Sequence, residues 1–346
     1  MSKVILTVVL LMSIIQPVSA LEITAPEVPP SAEAYMPDTS ESFGQGLLEI
    51  FQDAIMLLRP DIKEASVACL GVIAAAMLVS LLDNCTGSVK KSAELIGTVV
   101  VAGMLLAGTK SLIRLGADTV AQMSEYGKLL LPVMTAALAA QGGISSSGAL
   151  YAGTVAFDTV LTSLIKKLMI PMLYLYLAMV VANSAVGEDA IKKLRDLLKW
   201  AMTWALKIIL YVFTGYMGIT GVVTGTTDAA ALKATKLTIS GMVPVVGGIL
   251  SDASEAILVS AGTVKNAAGI YGIFAILAMC LEPFLKIGVH YLMLKATGAI
   301  ASVFAPKKLS GLITDFSGAM GMLLAVTGSV CLMLLISIVC FLKGVG

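Results

Sequence analysis

A run of 24 residues without a charged side chain, Ala319–Leu342, constrains the fold of this chain more than any other feature. About 20 apolar residues in an α-helix cross the roughly 30 Å hydrocarbon core of a bilayer. Backbone groups without a hydrogen bond are costly in lipid, and a helix pairs them within its own segment. The run therefore predicts a transmembrane helix.

Other apolar runs extend this prediction to most of the chain. Three of them are clear candidate spans: Ser66–Leu82, Leu168–Val186 and Trp200–Val223. Four are shorter or interrupted: Leu95–Thr109, Leu129–Ala140, Ala149–Ile165 and Ala267–Leu281. Charged residues make up 13% of the chain, against about 25% in soluble domains. We predict an all-α polytopic membrane protein in which residues 66–346 form roughly six to eight transmembrane helices, with amphipathic interfacial helices beside them.

Polar stretches are expected to separate these spans. Lys110–Lys128 is polar and periodic, which favours a surface helix. Glu282-Pro283 is expected to begin a new helix, because proline is tolerated in a first helical turn. Glu188–Lys199 has an apolar face and four cations on its other faces. This pattern predicts a helix in the headgroup region, on the cytoplasmic side of the membrane.

The amino-terminal part of the chain predicts export followed by a docking helix. Residues 1–20 have a lysine, a short apolar core and a small-residue cleavage site, and we interpret them as a cleaved signal peptide rather than a first span. Residues 21–42 form a proline-rich extracytoplasmic linker. Residues 43–65 contain an amphipathic helix that Arg59-Pro60 ends. This helix either docks a partner or the membrane surface, or packs back on the protein's own membrane domain.

The segment Gly241–Lys265 is apolar but interrupted. Pro244 and the pair Gly247-Gly248 break its helical pattern, and Asp252 and Glu255 follow three residues apart, on one helical face. A broken helix with carboxylates cannot face lipid, so one interpretation places it inside the protein or along a wet cavity. The other interpretation is an interfacial hairpin whose acids mark the water boundary.

Two further polar features lie within apolar surroundings. Asp158 lies inside the run Ala149–Ile165. Glu282, Lys286 and His290 follow at steps of four, which places them on one helical face. We interpret this stripe either as facing a passage or a partner, or as a charged stripe at an interface within the bundle.

Sequence motifs for catalysis are absent. The chain has no G-x-x-x-x-G-K-[ST], H-E-x-x-H or G-x-S-x-G motif, and it has a single histidine. Its five cysteines form no metal-binding or disulfide pattern. The net charge of +1 argues against nucleic acid as a partner. We therefore predict no enzymatic activity, no cofactor and no metal site.

One family shares the most distinctive part of this sequence. Residues 240–248 read SGMVPVVGG, residues 251–256 read SDASEA, and Lys265-Asn266 follow. With the exported leader, the amphipathic helix and the multi-span body, these residues resemble the stage III sporulation protein AE family of endospore-forming bacteria. The resemblance covers essentially the whole chain after the leader. Gly248 stands where the family pattern has an arginine, which leaves open any role for a charge at that position.

The resemblance implies a role in a channel or secretion-like complex between mother cell and forespore during engulfment, supporting late forespore gene expression. Its implied partners are other stage III A proteins, including a cytoplasmic ATPase and ring-forming subunits, and a forespore-made bridging protein. The implied location is the mother-cell-derived outer forespore membrane, with the amino terminus extracytoplasmic. The family implies no catalytic residues. Two alternatives are an autonomous secondary transporter and a purely structural membrane scaffold.

Overall fold

The structure is a computed structural model that describes the backbone of residues 26–33, 35–36, 43–82, 88–141, 144–187, 189–242 and 247–343. Side chains of residues 221–265 lie outside this description. The predicted signal peptide and much of the predicted linker also lie outside the described residues.

The described residues form nine α-helices and no β-strand. In chain order these are α1 (Pro30–Glu33), α2 (Phe43–Leu57), α3 (Arg59–Leu82), α4 (Ser88–Ala140), α5 (Ile144–Leu164), α6 (Ile170–Val186), α7 (Asp189–Met242), α8 (Gly247–Phe304) and α9 (Lys307–Lys343). A π-helical turn, Ile165–Met169, joins α5 to α6.

Six helical stretches among the described residues are long and apolar enough to cross a membrane. They are Arg59–Leu81, Glu94–Ala140, Ser147–Val186, Asp189–Thr220, Asn266–Phe304 and Lys307–Lys343. The protein is therefore an all-α polytopic membrane protein, as the apolar runs predict.

Helix α9 lies at the centre of the bundle. Buried side chains occur along its whole length, from Leu309 to Phe341, and it packs against α4, α5, α6, α7 and α8. Its closest neighbour is α8, which runs antiparallel to it. The two helices approach closely at Gly298, where a Cβ atom would lie 2.8 Å from Thr314 Oγ1. A small residue at this position therefore sets the distance between the helices.

Contacts between helices show that successive spans alternate in direction. Ser80 Oγ donates a hydrogen bond of 2.7 Å to the carbonyl oxygen of Phe304, so α3 and α8 end at the same level. Gly187, after α6, lies beside Lys308 at the start of α9. Arg195, in the first turns of α7, pairs with Asp315 of α9. The ends of α3, α6 and α8 therefore meet the beginnings of α7 and α9 at one end of the bundle.

We call this end the basic end, because exposed lysines collect there. They are Lys192, Lys193, Lys199, Lys307 and Lys308. At the opposite end, α4 lies beside the start of the α8 span, with Leu130 against Gly272. The far end of α9 lies there too, because Leu342 packs against Gly269.

Four predicted boundaries between helices were wrong. Ala149–Ile165 and Leu168–Val186 are not separated at Lys166-Lys167 but are joined through the π-helical turn into the stretch Ser147–Val186. Lys110–Lys128 is not a separate surface helix but the middle of α4, and its Gly116 and Gly127 lie against Leu323 and Leu334 of α9. The predicted headgroup helix, described from Asp189, continues directly into the following span as part of α7. Glu282-Pro283 does not begin a helix, because Pro283 lies inside α8. A proline inside a membrane helix is tolerated where neighbouring helices cover the interrupted backbone, and Pro283 is buried.

The amphipathic helix was predicted correctly. It is α2, it ends at Leu57, and a new helix begins immediately at Arg59 with Pro60 in its first turn. Its buried residues Ile50 and Ala54 lie on the side that packs against α8. Part of its apolar surface stays uncovered, since Leu48 is 59% exposed. Packing back on the membrane domain therefore uses only part of the apolar surface of α2.

Candidate functional site

A polar cluster forms where α3 and the segment before α2 meet the middle of α8. Lys286 Nζ on α8 lies 2.6 Å from Asp61 Oδ1, in the first turn of α3. The two side chains are 31% and 15% exposed. This partly buried ion pair joins helices that are more than 200 residues apart in the sequence. A charge left without its partner here would be costly, because solvent screens it only weakly.

Tyr35 brings the amino-terminal segment into the same cluster. Its side chain is buried, and its hydroxyl interacts with the Glu282 carboxylate. Burial is the largest effect that raises the pKa of Tyr35, and the negative charge of Glu282 raises it further. Tyr35 thereby joins the segment that contains α1 to α8.

His290 completes the predicted stripe one turn after Lys286. Its Nδ1 lies 2.9 Å from the carbonyl oxygen of Lys286, so Nδ1 carries the hydrogen of this bond. The ring lines a cavity of about 180 Å³ between α3, α4 and α8, together with Glu64 and Thr109. The structure thus brings Glu282, Lys286 and His290 to one face of α8, and Glu282 and Lys286 meet partners within the chain.

Asp158 lies apart from this stripe, between α4 and α5. Ser124 Oγ on α4 donates a hydrogen bond of 2.8 Å to Asp158 Oδ2. Asp158 is only 4% exposed, and its Oδ1 atom has no hydrogen-bond partner among the described residues. A buried carboxyl with one neutral partner is an uncommon arrangement that marks this position as a candidate site.

The predicted broken segment falls largely outside the described residues. Pro244 lies outside them altogether. Helix α8 begins at Gly247, so Gly248, Asp252 and Glu255 have helical backbone in its first turns. Their side chains are not described. Their role at a passage or at a contact with a partner stays a prediction from the sequence.

A buried ion pair at the basic end was missed by sequence reasoning. Arg195 is only 8% exposed; it pairs with Asp315 on α9 and donates to Asp196 Oδ1 at 2.9 Å. The sequence pattern grouped Arg195 with the outward-facing cations of its helix. Tyr35, Asp61 and Ser124 were also missed. Each becomes recognisable only beside a residue on another helix, and no pattern within its own segment indicates that neighbour.

A larger cavity of about 430 Å³ lies between α6, α7, α8 and α9. Its lining is almost entirely apolar, with side chains such as Leu173, Met202 and Phe284, and Lys207 is the one charged residue in the described lining. Its volume is in the range of small-molecule sites. Within the described residues, no three histidine, cysteine or acidic side chains form a group that could hold a metal ion.

Comparisons with known proteins point to a sporulation family. The family model described as "Stage III sporulation protein AE (spore_III_AE)" matches residues 32–344. A curated protein, "Stage III sporulation protein AE" of Bacillus subtilis (strain 168), is 22% identical over 213 residues, which cover 61% of this chain and 53% of that protein. The chain thus aligns with about half the length of this relative. No solved structure matches the chain.

Proposed function

This chain belongs to the stage III sporulation protein AE family, and we propose that it takes part in sporulation as a non-enzymatic membrane component of a complex between the mother cell and the forespore. The observation that carries the proposal is the family match over residues 32–344, nearly all of the described chain. In this role the protein lies in the mother-cell-derived outer forespore membrane and supports late forespore gene expression during engulfment.

The distribution of charge along the bundle supports one orientation. Lysines in short connections favour the cytoplasmic side of a membrane. The basic end, with Lys192, Lys193 and Lys307 among its exposed lysines, then faces the mother-cell cytoplasm. Helix α2 and Tyr35 pack against parts of α8 further from this end. They then face the space between the two membranes.

This orientation assigns a separate surface to each class of partner. The exposed lysines of the basic end would meet a cytoplasmic ATPase through its acidic groups. The uncovered apolar side chains of α2, including Leu48 and Phe51, would meet ring-forming subunits or the forespore-made bridging protein. The buried interior of the bundle then serves to hold these two surfaces at fixed positions.

Cysteine accessibility tests the orientation directly. Lys193→Cys and Leu48→Cys are each introduced into the full chain with its natural cysteines replaced, and intact cells are treated with a membrane-impermeant maleimide. We expect Leu48→Cys to react in intact cells and Lys193→Cys to react only after permeabilisation. The reverse pattern would contradict the proposed arrangement of partners.

A deletion in the native spore former tests the function itself. We expect loss of heat-resistant spores and of late forespore reporter activity, both restored by the full chain. Co-purification from sporulating cells should recover the other stage III A proteins. Normal sporulation of the deletion strain would refute the proposal.

An autonomous secondary transporter is the second candidate function. The buried Asp158 and the apolar cavity of about 430 Å³ favour it, since transporters place acidic groups and binding sites inside helix bundles. Reconstitution of the purified chain alone into liposomes separates the candidates. Solute uptake by the chain alone would support a transporter, whereas a requirement for co-expressed partners would support the complex.

A further inference from the structure

The contact between α4 and α5 contains a polar group that the proposed assembly role does not use. Asp158 is 4% exposed and Ser124 is 2% exposed, so both lie inside the bundle. Ser124 satisfies Asp158 Oδ2, but Oδ1 has no partner among the described residues. Thr162 Oγ1, one helical turn further along α5, is also buried without a described partner. Asp158 Oδ1 and Thr162 Oγ1 are therefore two buried oxygen atoms of α5 without a hydrogen-bond partner among the described residues.

Among the described residues, no side-chain cation pairs with the carboxyl. Lys128 on α4 and Lys166 in the π-helical turn interact electrostatically with Asp158, but neither forms an ion pair with it. Both lysine side chains are exposed. An ionised carboxylate without a direct counter-charge is strongly disfavoured in such surroundings. A proton or a bound metal cation would remove the cost.

The ligand count favours a proton. Ca²⁺ takes six to eight oxygen ligands and Mg²⁺ takes six, whereas the side chains of Asp158, Ser124 and Thr162 together offer fewer. Most helical carbonyl groups of α4 and α5 are already used within those helices. Pro132 leaves the carbonyl group of Lys128 without its helical donor, which adds one oxygen atom at most and keeps the total below six. A proton needs no coordination shell, and on Oδ1 it removes the charge and turns an orphaned acceptor into a donor.

We infer that Asp158 is a proton-binding site inside the bundle, and that the α4–α5 contact is stable only while the carboxyl holds its proton. Ser124 donates to the other oxygen, so it favours the ionised form and keeps the proton exchangeable. Loss of the proton places an unpaired charge between α4 and α5. The proposed function does not depend on this site.

Carbodiimide labelling tests for the proton chemically. The full chain in lipid nanodiscs is treated with dicyclohexylcarbodiimide at several pH values between about 5 and 9. The acid proton moves to a carbodiimide nitrogen, the carboxylate oxygen adds to the central carbon, and the product rearranges to an N-acylurea without a leaving group. We expect an adduct on the peptide that contains Asp158, with a rate that falls as the pH rises.

Three variants sharpen this experiment. Asp158→Asn should lose the adduct. Asp118→Asn, an exposed residue of the Arg114–Asp118 pair on α4, should keep it. Ser124→Ala should move the fall in rate upward by about one pH unit, because the ionised carboxyl loses a hydrogen bond. A rate that does not depend on pH would overturn the inference, and so would protection by Na⁺ or Ca²⁺ at constant pH, which would assign a metal cation.

Infrared difference spectroscopy keeps the inference testable if the reagent cannot reach the site. The difference between spectra recorded at acidic and at alkaline pH should contain the C=O stretching band of a protonated carboxyl. That band should be missing from Asp158→Asn and retained in Asp118→Asn. Equal bands in the wild type and Asp158→Asn would show that Asp158 is not the proton carrier.

Discussion

Charged residues inside this bundle meet partners on other helices. Lys286 pairs with Asp61, and Arg195 pairs with Asp315, in both cases across helices that are distant in sequence. Each charge is thereby neutralised where water screens it weakly. Such pairs add little net stability compared with apolar residues, but removal of one member is costly because the other stays buried and unpaired. Their main effect here is to fix which helix faces lie together.

The Asp61–Lys286 pair gives a prediction at this scale. Lys286→Met should lower the free energy of unfolding by about 2 kcal/mol, between the values for exposed and fully buried pairs. Adding Asp61→Asn should restore part of the loss, because the uncompensated charge is removed. Thermal unfolding of the purified chain in nanodiscs measures both effects.

The exposed pair Arg114–Asp118 provides the control for this prediction. Its side chains are 84% and 64% exposed, so Arg114→Met should change stability by less than about 0.5 kcal/mol. Equal effects of Lys286→Met and Arg114→Met would show that the Asp61–Lys286 pair is not buried in the membrane-embedded protein.

At the scale of helices, close packing of α8 against α9 organises the bundle. Without a strong hydrophobic driving force between helices in lipid, small residues that allow close approach are favoured at their contacts. Gly298 and Gly328 provide such positions, beside Thr314 and Phe284. The other spans pack around this pair, so changes in the α8–α9 distance should affect the whole fold.

A substitution at Gly298 tests this packing. Gly298→Ala should destabilise the protein by about 1–3 kcal/mol, because the new Cβ would lie 2.8 Å from Thr314 Oγ1 and 3.4 Å from the Thr314 backbone nitrogen. Gly311→Ala is the matched control, since a Cβ at that position would have no described atom within 4 Å. The control should be neutral or slightly stabilising, as alanine favours helix. If both variants unfold at the wild-type temperature, the close approach is absent.

Two cysteines provide an independent test of the same contact. The buried thiols of Cys280 on α8 and Cys331 on α9 interact with each other. Mild oxidation with iodine should join them, with two thiols giving one disulfide and two equivalents of hydrogen iodide. Mass spectrometry of digested protein should find the linked peptides, and Cys69, on α3, should remain unlinked. The Cys331→Ser variant is the control, because oxidation of its other thiols shows that the reagent is active. If the reagent is active and the wild type still lacks the link, the α8–α9 register is contradicted.

At the scale of the whole molecule, the helices are longer than a bilayer requires. The stretch Glu94–Ala140 has 47 residues, which makes it about 70 Å long. Even at the steepest tilts seen for membrane helices, about 40°, it extends beyond a hydrocarbon core of roughly 30 Å. Helix α3 is shorter: the distance from Asp61 to Leu82 along the helix is about the thickness of the hydrocarbon core. The Asp61–Lys286 pair therefore lies close to one membrane boundary, with the basic end at the other.

The charge of the basic end gives a prediction about membrane insertion. Replacing Lys192, Lys193, Lys307 and Lys308 together by glutamine removes the lysines that favour the cytoplasmic side. We expect a mixed population of orientations, measured as a lower fraction of Leu48→Cys that reacts with impermeant maleimide in intact cells. Replacing Lys110 and Lys128 by glutamine is the control and should leave that fraction unchanged. An unchanged fraction in the four-lysine variant would mean that charge at this end does not orient the bundle.

Sequence patterns predicted the kind of element better than its length. The run Ala319–Leu342 lies inside α9, and the amphipathic helix ends at the predicted position. Ala149–Ile165 and Leu168–Val186 were predicted as separate runs, and Glu282-Pro283 as the start of a helix. The helix nevertheless continues through Lys166-Lys167 and through Pro283. Local polarity favours a break, but packing of a whole helix against its neighbours favours continuity, and packing prevailed.

The sequence likewise predicted only part of the candidate site. The spacing of Glu282, Lys286 and His290 correctly placed them on one face, because helical geometry is local. Their neighbours Tyr35 and Asp61, the Ser124 hydroxyl beside Asp158, and the inward direction of Arg195 required the folded chain. The sequence by itself determined that this protein is a helical membrane protein, since each helix satisfies its own backbone within its own segment. Only the tertiary structure decided which charges are paired and which carboxyl has no positively charged partner among the described residues, because those contacts join segments that are far apart along the chain.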